Sequence, residues 1–152
     1  METTQSMPTV FNQLGIRFEY PDNWSVDQES LDPTTADGEQ VVISSPNTAF
    51  WQLSKHPHEA ELEGLFDEAL SALRSVYHEM EVAPAHDTLD DREVAGFDVS
   101  FYCLDYTNTS WLRGFKTPEA TYLVLCQAED HELERAGPVF RAMLASVLRN
   151  LQ

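Results

Sequence analysis

The chain has 152 residues, 42% of them hydrophobic and 11% aromatic, and 26 acidic residues against nine basic ones give it a formal net charge of −17. A chain of this length buries roughly 68–70% of its unfolded surface, so we expect a sizeable core without metal or disulfide support and exclude low-hydrophobicity disorder. The negative charge repels phosphate backbones and anionic lipid surfaces, which argues against nucleic-acid and membrane-surface binding.

The acidic residues are scattered along the chain and do not form runs. Scattered acids are typical of a solvated, self-repelling surface suited to solubility, including that of a salt-tolerant cell. Recognition of a basic partner is the alternative interpretation of the same charge.

The first ten residues, METTQSMPTV, have neither a basic n-region nor an apolar h-region, and the longest apolar run, 122–126, is too short to span a bilayer. The sequence therefore predicts a cytoplasmic protein without membrane insertion. Cys103 and Cys126 lie within apolar strand patterns and form no C-x-x-C pair, so we expect buried free thiols. A bridge between neighbouring strands is the alternative if the protein is exported.

Residues 1–9 are polar and without periodicity, which predicts a flexible tail ahead of one α/β domain over 10–152. Residues 21–23 then predict a turn, and residues 24–26 a return strand. Between the tail and this turn, apolar side chains alternate in the manner of a half-buried strand: Leu14, Ile16, Phe18 and Tyr20.

A loop over 29–38 precedes two short apolar runs, 41–43 and 49–53, whose connection through residues 45–48 predicts a hairpin. Pro57 suits the first turn of a helix, because its missing N–H costs nothing there. Apolar residues then recur at three- and four-residue steps and predict a helix of about four turns: Leu62, Leu65, Phe66, Ala69, Leu70, Leu73, Val76 and Tyr77.

The second half predicts an edge strand over 81–89, since Pro84 cannot donate to a central ladder. Turns at 107–109 and 117–119 should join the next three strands into an antiparallel meander. The long strand after Gly96 is apolar on both faces and therefore central. It should carry Phe97, Val99, Phe101 and Cys103 on one face and Tyr102, Leu104 and Tyr106 on the other.

Gly137 and Pro138 predict the start of a C-terminal helix. The order of strands, helix, strands, helix argues against a doubly wound parallel fold. We therefore expect an α+β fold, in which an antiparallel-rich sheet of about six strands is flanked by the mid-chain and C-terminal helices as an α/β/α sandwich.

Four stretches of the chain resemble the PsbP/Mog-like superfamily of α/β/α sandwiches, including its DcrB-like bacterial members. They are residues 18–24 (FEYPDNW), 41–46 (VVISSP), 122–126 (YLVLC) and 140–147 (FRAMLASV). Members of the superfamily act by binding, as a photosystem extrinsic subunit, a factor that contacts a small GTPase, or secretion chaperones. The resemblance implies a binding or accessory role and supplies no catalytic residues.

No familiar catalytic or cofactor motif is present. The six glycines are too far apart for a phosphate-binding loop, and neither G-x-S-x-G nor H-E-x-x-H occurs. His56 and His58 are a local pair, but we expect their rings to diverge at a helix start. The spacing of the other histidines, His78, His86 and His131, does not identify a further metal ligand. Asp90 and Asp91 suit a turn better than a catalytic pair. We expect no enzyme, metal site or cofactor.

The best candidates for partner binding are aromatic residues of the predicted strands together with a scarce arginine, residue types that are enriched in binding hot spots. The set predicted here is Trp111, Arg113, Phe115, Tyr102, Tyr106 and Trp51. The alternative is that the aromatics pack under a helix and that Arg113 either extends its charged end to solvent or pairs with an acid. Three functions remain open in this order: a chaperone-like module that binds an apolar or basic protein segment, a small-molecule or lipid carrier with a pocket between sheet and helix, and an enzyme.

Overall fold

A computed structural model describes residues 8–31, 39–77 and 79–151. The strands are β1 (Thr9–Gln13), β2 (Ile16–Tyr20), β3 (Ser25–Val26), β4 (Glu39–Ser44), β5 (Phe50–Pro57), β6 (Met80–Leu89), β7 (Arg92–Cys103), β8 (Tyr106–Lys116) and β9 (Ala120–Glu129). The helices are α1 (Leu62–Val76), α2 (Asp130–Asn150) and a 3-10 turn (Gln28–Leu31). Residues 1–7 of the predicted tail, 32–38 of the predicted loop, and His78 lie outside the described residues.

Seven of the strands form one antiparallel sheet in the order β3-β4-β5-β9-β8-β7-β6, and β1 and β2 form a separate hairpin. The predicted α+β sandwich with an antiparallel sheet is confirmed, as are the β4–β5 hairpin and the edge position of β6. The predicted 14–20 strand is wrong at its start, because Leu14 and Gly15 form the β1–β2 turn with φ of 59° and 71°. The predicted return strand, β3, pairs with β4 and not with β2.

Both helices begin elsewhere than predicted. Pro57 ends β5, opposite Ala120, and α1 starts only at Leu62. α2 starts at Asp130, where the side chain of Glu129 accepts a hydrogen bond from the His131 N–H, and Pro138 lies inside the helix. Gly137 is not a start signal: a Cβ there would lie 3.1 Å from the Trp111 ring, so glycine lets the helix approach the sheet.

The larger core lies between the sheet, α2 and the β1–β2 hairpin. Its centre is aromatic: the ring centroids of Phe18 and Trp51 are 4.9 Å apart, and Phe140 of α2 meets the edges of Trp24 and Trp111. A smaller cluster, built on Leu70, Val99, Phe101 and Leu112, lies between the sheet and α1. In the described part of the chain, neither helix is long and apolar enough to cross a membrane.

Candidate partner-binding site

The six residues predicted to bind a partner lie in two separate environments. Trp51, Arg113 and Phe115 are buried and Trp111 is half-buried, whereas Tyr102 and Tyr106 are exposed by 68% and 57%. The structure therefore does not bring the six candidates together on one surface.

Arg113 is the centre of a buried ion network under α2. Its Nε donates to Asp87 at 2.7 Å and its Nη2 to Asp98 at 2.9 Å, while Nη1 donates to the carbonyls of Phe97 and Leu112. Each of the three guanidinium nitrogens therefore donates to groups of its own chain. Pairing of Arg113 with acidic residues was the alternative to partner binding that the sequence left open.

The remaining three aromatics stabilise the interior. Trp111 packs under Phe140, with the guanidinium of Arg141 4.8 Å from its ring centroid. Phe115 stacks on Tyr122 at 5.0 Å. Trp51 lies against Phe18, and its indole N–H has no hydrogen-bond partner among the described residues. As placed here, the buried side chains of Trp51 and Phe115 offer no surface to a partner.

Tyr102 and Tyr106 belong to a hairpin tip, which we define as residues 102–107. Cys103 pairs with Tyr106 and Tyr102 with Thr107, so Leu104 and Asp105 form a two-residue turn. Directly opposed residues of an antiparallel ladder share a face. Tyr106 therefore lies on the face of Cys103, and the predicted alignment of Tyr102, Leu104 and Tyr106 on one face is wrong because the turn comes three residues earlier than predicted.

The hairpin tip projects beyond both neighbouring strands. β6 pairs with β7 only as far as Phe101, opposite Met80, and β9 pairs with β8 only from Asn108, opposite Glu129. Among the described strands, none flanks the tip, which gives a partner access from two sides.

Backbone strain and apolar exposure coincide at Leu104. Its φ of 53° and that of Asp105, 70°, lie in the left-handed region, which costs roughly 1–2 kcal/mol for an ordinary L-residue. Asn-Gly is the usual solution for such a turn. The Leu104 side chain is 88% exposed and so recovers little of this cost by burial. A strained residue kept at an exposed position motivates a functional hypothesis.

The end of α1 extends the apolar surface of the tip. Val76 is 65% exposed and, together with Tyr77, Glu79, Tyr102 and Cys103, lines a depression of ≈ 420 Å³ beside the tip. Leu104 and Val76 are the residues that the sequence analysis did not select. The sequence feature that could have identified Leu104 is a leucine in a short turn between two tyrosines, because polar residues are usual in turns.

A second surface lies where α1 leaves part of the sheet uncovered. A groove of ≈ 440 Å³ runs between α1 and strands β5 and β9, with Leu73, Leu123, Leu125 and Phe50 as apolar lining. Gln52, Ser54 and Gln127 add polar groups to its lining.

The histidine pair lies in a different setting from that predicted, because β5 continues through His56. The His56 Nε2 is 2.9 Å from the Ser54 Oγ, and burial lowers the pKa of the ring, opposed by the nearby carboxylate of Glu68. No group of three or more His, Cys, Asp or Glu side chains is placed to hold a metal ion within the described ranges. Asp90 and Asp91 form the β6–β7 turn.

Both cysteines are free, but the predicted burial is wrong for Cys103. Cys126 is buried, and burial raises the pKa of its thiol well above the usual value. Cys103 is half-buried at the base of the hairpin tip.

Comparison with known proteins gives similarity of structure only, since no family model and no curated protein sequence matches the chain. Cyanobacterial PsbP from Synechocystis sp. PCC 6803 superimposes with a TM-score of 0.63 at 9% identity, over 94% of this chain and 92% of that one. The Ran-binding protein Mog1p of Saccharomyces cerevisiae gives 0.57 at 10% identity, over 95% and 94%.

A third solved structure, the protein of unknown function PA94 from Pseudomonas aeruginosa, has a TM-score of 0.57 at 10% identity, over 95% of this chain and 99% of that one. In all three comparisons the superposition covers more than nine-tenths of both chains. The chain therefore has the PsbP/Mog-like fold that the sequence resemblance implied.

Proposed function

We propose that this chain, which has the PsbP/Mog-like fold, is a non-catalytic binding or accessory protein that recognises a protein partner through its hairpin tip. The observation that carries the proposal is Leu104, strained in backbone and exposed in side chain at the end of a projecting hairpin. Exposed tyrosines on both sides add one of the residue types enriched in hot spots. The Ran-binding activity named for Mog1p supports a binding role for this fold.

The chemistry of the partner follows from the charge of the chain. With 26 acidic and nine basic residues, the protein attracts a basic surface and repels an acidic one. Apolar tip residues would supply affinity, while the surrounding carboxylates would steer the encounter. The partner segment is therefore apolar at its centre and basic at its rim.

Site-specific photo-crosslinking tests this proposal. A benzophenone amino acid is placed at Tyr106 in one variant and at Lys116 in a second, since both side chains are exposed and lie at opposite ends of β8. We expect one protein with a basic surface to crosslink at position 106 and not at 116. Equal labelling at both positions, or labelling at neither, contradicts a binding site at the tip.

The groove between α1 and the sheet favours a second candidate, a small-molecule or lipid carrier. Its volume of ≈ 440 Å³ is within the range of small-ligand sites, and its lining is apolar with a few polar groups. Native mass spectrometry of the protein purified from its own cells distinguishes the two functions. A carrier retains a ligand of defined mass, and substitution of Leu125 by Trp, which fills the groove, releases it.

A further inference from the structure

One face of the hairpin tip carries a cleft of ≈ 480 Å³. Glu81 pairs with Ser100 and Tyr102 with Thr107, so these four side chains point to the same side of the sheet, the side that carries α2. Glu79, Met80 and Phe101 complete the lining. We call the cleft lined by these seven residues the tip cleft.

The tip cleft combines an aromatic ring with two carboxylates, those of Glu79 and Glu81. The Tyr102 ring is mostly exposed, and the ion pairs of the described residues involve neither Glu79 nor Glu81. None of the described residues lining the cleft is basic. Two like charges beside an open aromatic face favour a cation, because the ring attracts it through its quadrupole and the carboxylates through their charge.

We infer that the partner presents an arginine side chain to the tip cleft, where the guanidinium stacks on the Tyr102 ring and donates hydrogen bonds to Glu79 and Glu81. A guanidinium is planar, can stack on a ring and has five donors, enough to reach two carboxylates at once. Lysine offers a compact charge with a stronger hydration shell and satisfies this geometry less well. The inference rests on the proposed function, since the tip cleft is one face of the hairpin tip.

The test uses the ¹⁵N-labelled full chain and three blocked tetrapeptides, Ac-Ala-Arg-Leu-Ala-NH₂ and its Lys and Gln counterparts. We expect the Arg peptide to shift amide signals at residues 79–81, 100–102 and 107. The Lys peptide should bind at least about threefold more weakly, and the Gln peptide should leave these signals unchanged. Raising the salt from about 0.05 M to about 0.5 M should weaken the Arg peptide severalfold, since exposed charges are screened.

Two double variants identify the carboxylates. E79Q/E81Q should reduce Arg-peptide binding at least about tenfold, as expected when two charge-assisted contacts are removed. The matched control E59Q/E119Q removes the same charge from exposed residues at the opposite end of the sheet and should leave binding within about twofold of wild type. Equal shifts with the Arg and Gln peptides, or equal losses in both variants, overturn the inference.

The peptide experiment can succeed or fail independently of the proposed function. If the Arg peptide binds but variants of Leu104 retain every partner, the cleft recognises arginine and the proposed function fails. If the Arg peptide does not bind while Leu104 variants lose their partner, the tip binds a partner and the arginine inference fails.

Discussion

Cys103 and Tyr106 are register partners on the last rung of the β7–β8 ladder, so Leu104 and Asp105 alone reverse the chain. Both residues have positive φ, which Asn and Gly tolerate better. The double variant L104N/D105G should therefore raise the free energy of unfolding by about 1 kcal/mol and Tm by about 2–4 °C. Urea and thermal unfolding measure both quantities.

The β1–β2 turn provides the matched control for this prediction. Leu14 has a similar φ of 59°, but its half-buried side chain packs against the main core. L14N should destabilise the protein, because lost packing outweighs the relief of strain. A loss of stability in L104N/D105G would show that the Leu104 side chain contributes to the fold itself.

Gly96 and Gly64 should respond in opposite ways to alanine. A Cβ at Gly96 would overlap the carbonyl oxygen of Leu112 on the neighbouring strand, whereas nothing lies within 4 Å of a Cβ at Gly64 in α1. G96A should cost about 1–3 kcal/mol or more, and G64A should stabilise by about 0.5–1 kcal/mol through better helix propensity. Equilibrium unfolding in urea gives both values, and similar effects for the two variants would contradict the close approach of β7 and β8.

Arg113 should be required for stability and not for binding. Replacement by methionine leaves Asp87, whose side chain is 16% exposed, without its closest counter-ion. Removal of one partner from a buried pair costs about 3–5 kcal/mol. R113M should therefore lower the free energy of unfolding by that amount, measured in urea. A loss below about 1 kcal/mol would mean that Arg141, whose Nε is 3.5 Å from Asp87, compensates for the loss.

Glu132 should make the stability depend on pH. Its carboxylate accepts hydrogen bonds from the Ser45 Oγ and from the Thr48 N–H and Oγ, which fasten the β4–β5 turn to α2. Burial raises the pKa of Glu132, but these hydrogen bonds lower the pKa by more than burial raises it. The pKa in the folded state therefore lies below the ordinary value. The carboxylate therefore stabilises the fold above its unfolded pKa of about 4.3, and this contribution is lost as the pH falls through the lower folded pKa.

The comparison of wild type with E132Q isolates this effect. At pH 7 the variant should lose about 1.5–3 kcal/mol, the typical contribution of hydrogen bonds to a charged group. The difference between the two proteins should shrink as the pH falls below about 4, since wild type then loses the same charge. A difference that is constant from pH 7 to pH 3 would contradict the assignment.

Local patterns predicted much of the fold. Period-two alternation located β2, short apolar runs located β4, β5 and β9, the three-to-four periodicity located α1, and Pro84 indicated that β6 is an edge strand. The errors in the helix starts came from proline, which occurs in more than one structural setting. Proline is common in the first turn of a helix, but here Pro57 ends a strand and Pro138 lies within a helix.

The sequence predicted less of the candidate site than of the fold. Trp111, Arg113 and Phe115 alternate as binding residues do, but alternation does not reveal which face a helix covers, and α2 covers this one. The turn at Leu104 was missed because Leu is atypical of a two-residue hairpin turn and Asp105 occupies the position where Gly is usual. The exposure of Tyr102 and Tyr106 depends on where β6 and β9 end, which only the pairing of distant strands determines.

Quantitative co-purification with the stabilised tip variant tests partner recognition at the hairpin tip most directly. Wild type, L104N/D105G and the far-end control E59Q/E119Q are each used as bait in native lysate, with salt-stepped elution and mass spectrometry. We predict a protein recovered equally by wild type and the control but at least about tenfold less by L104N/D105G, whose fold is at least as stable. Equal recovery of every protein by all three baits would contradict the account.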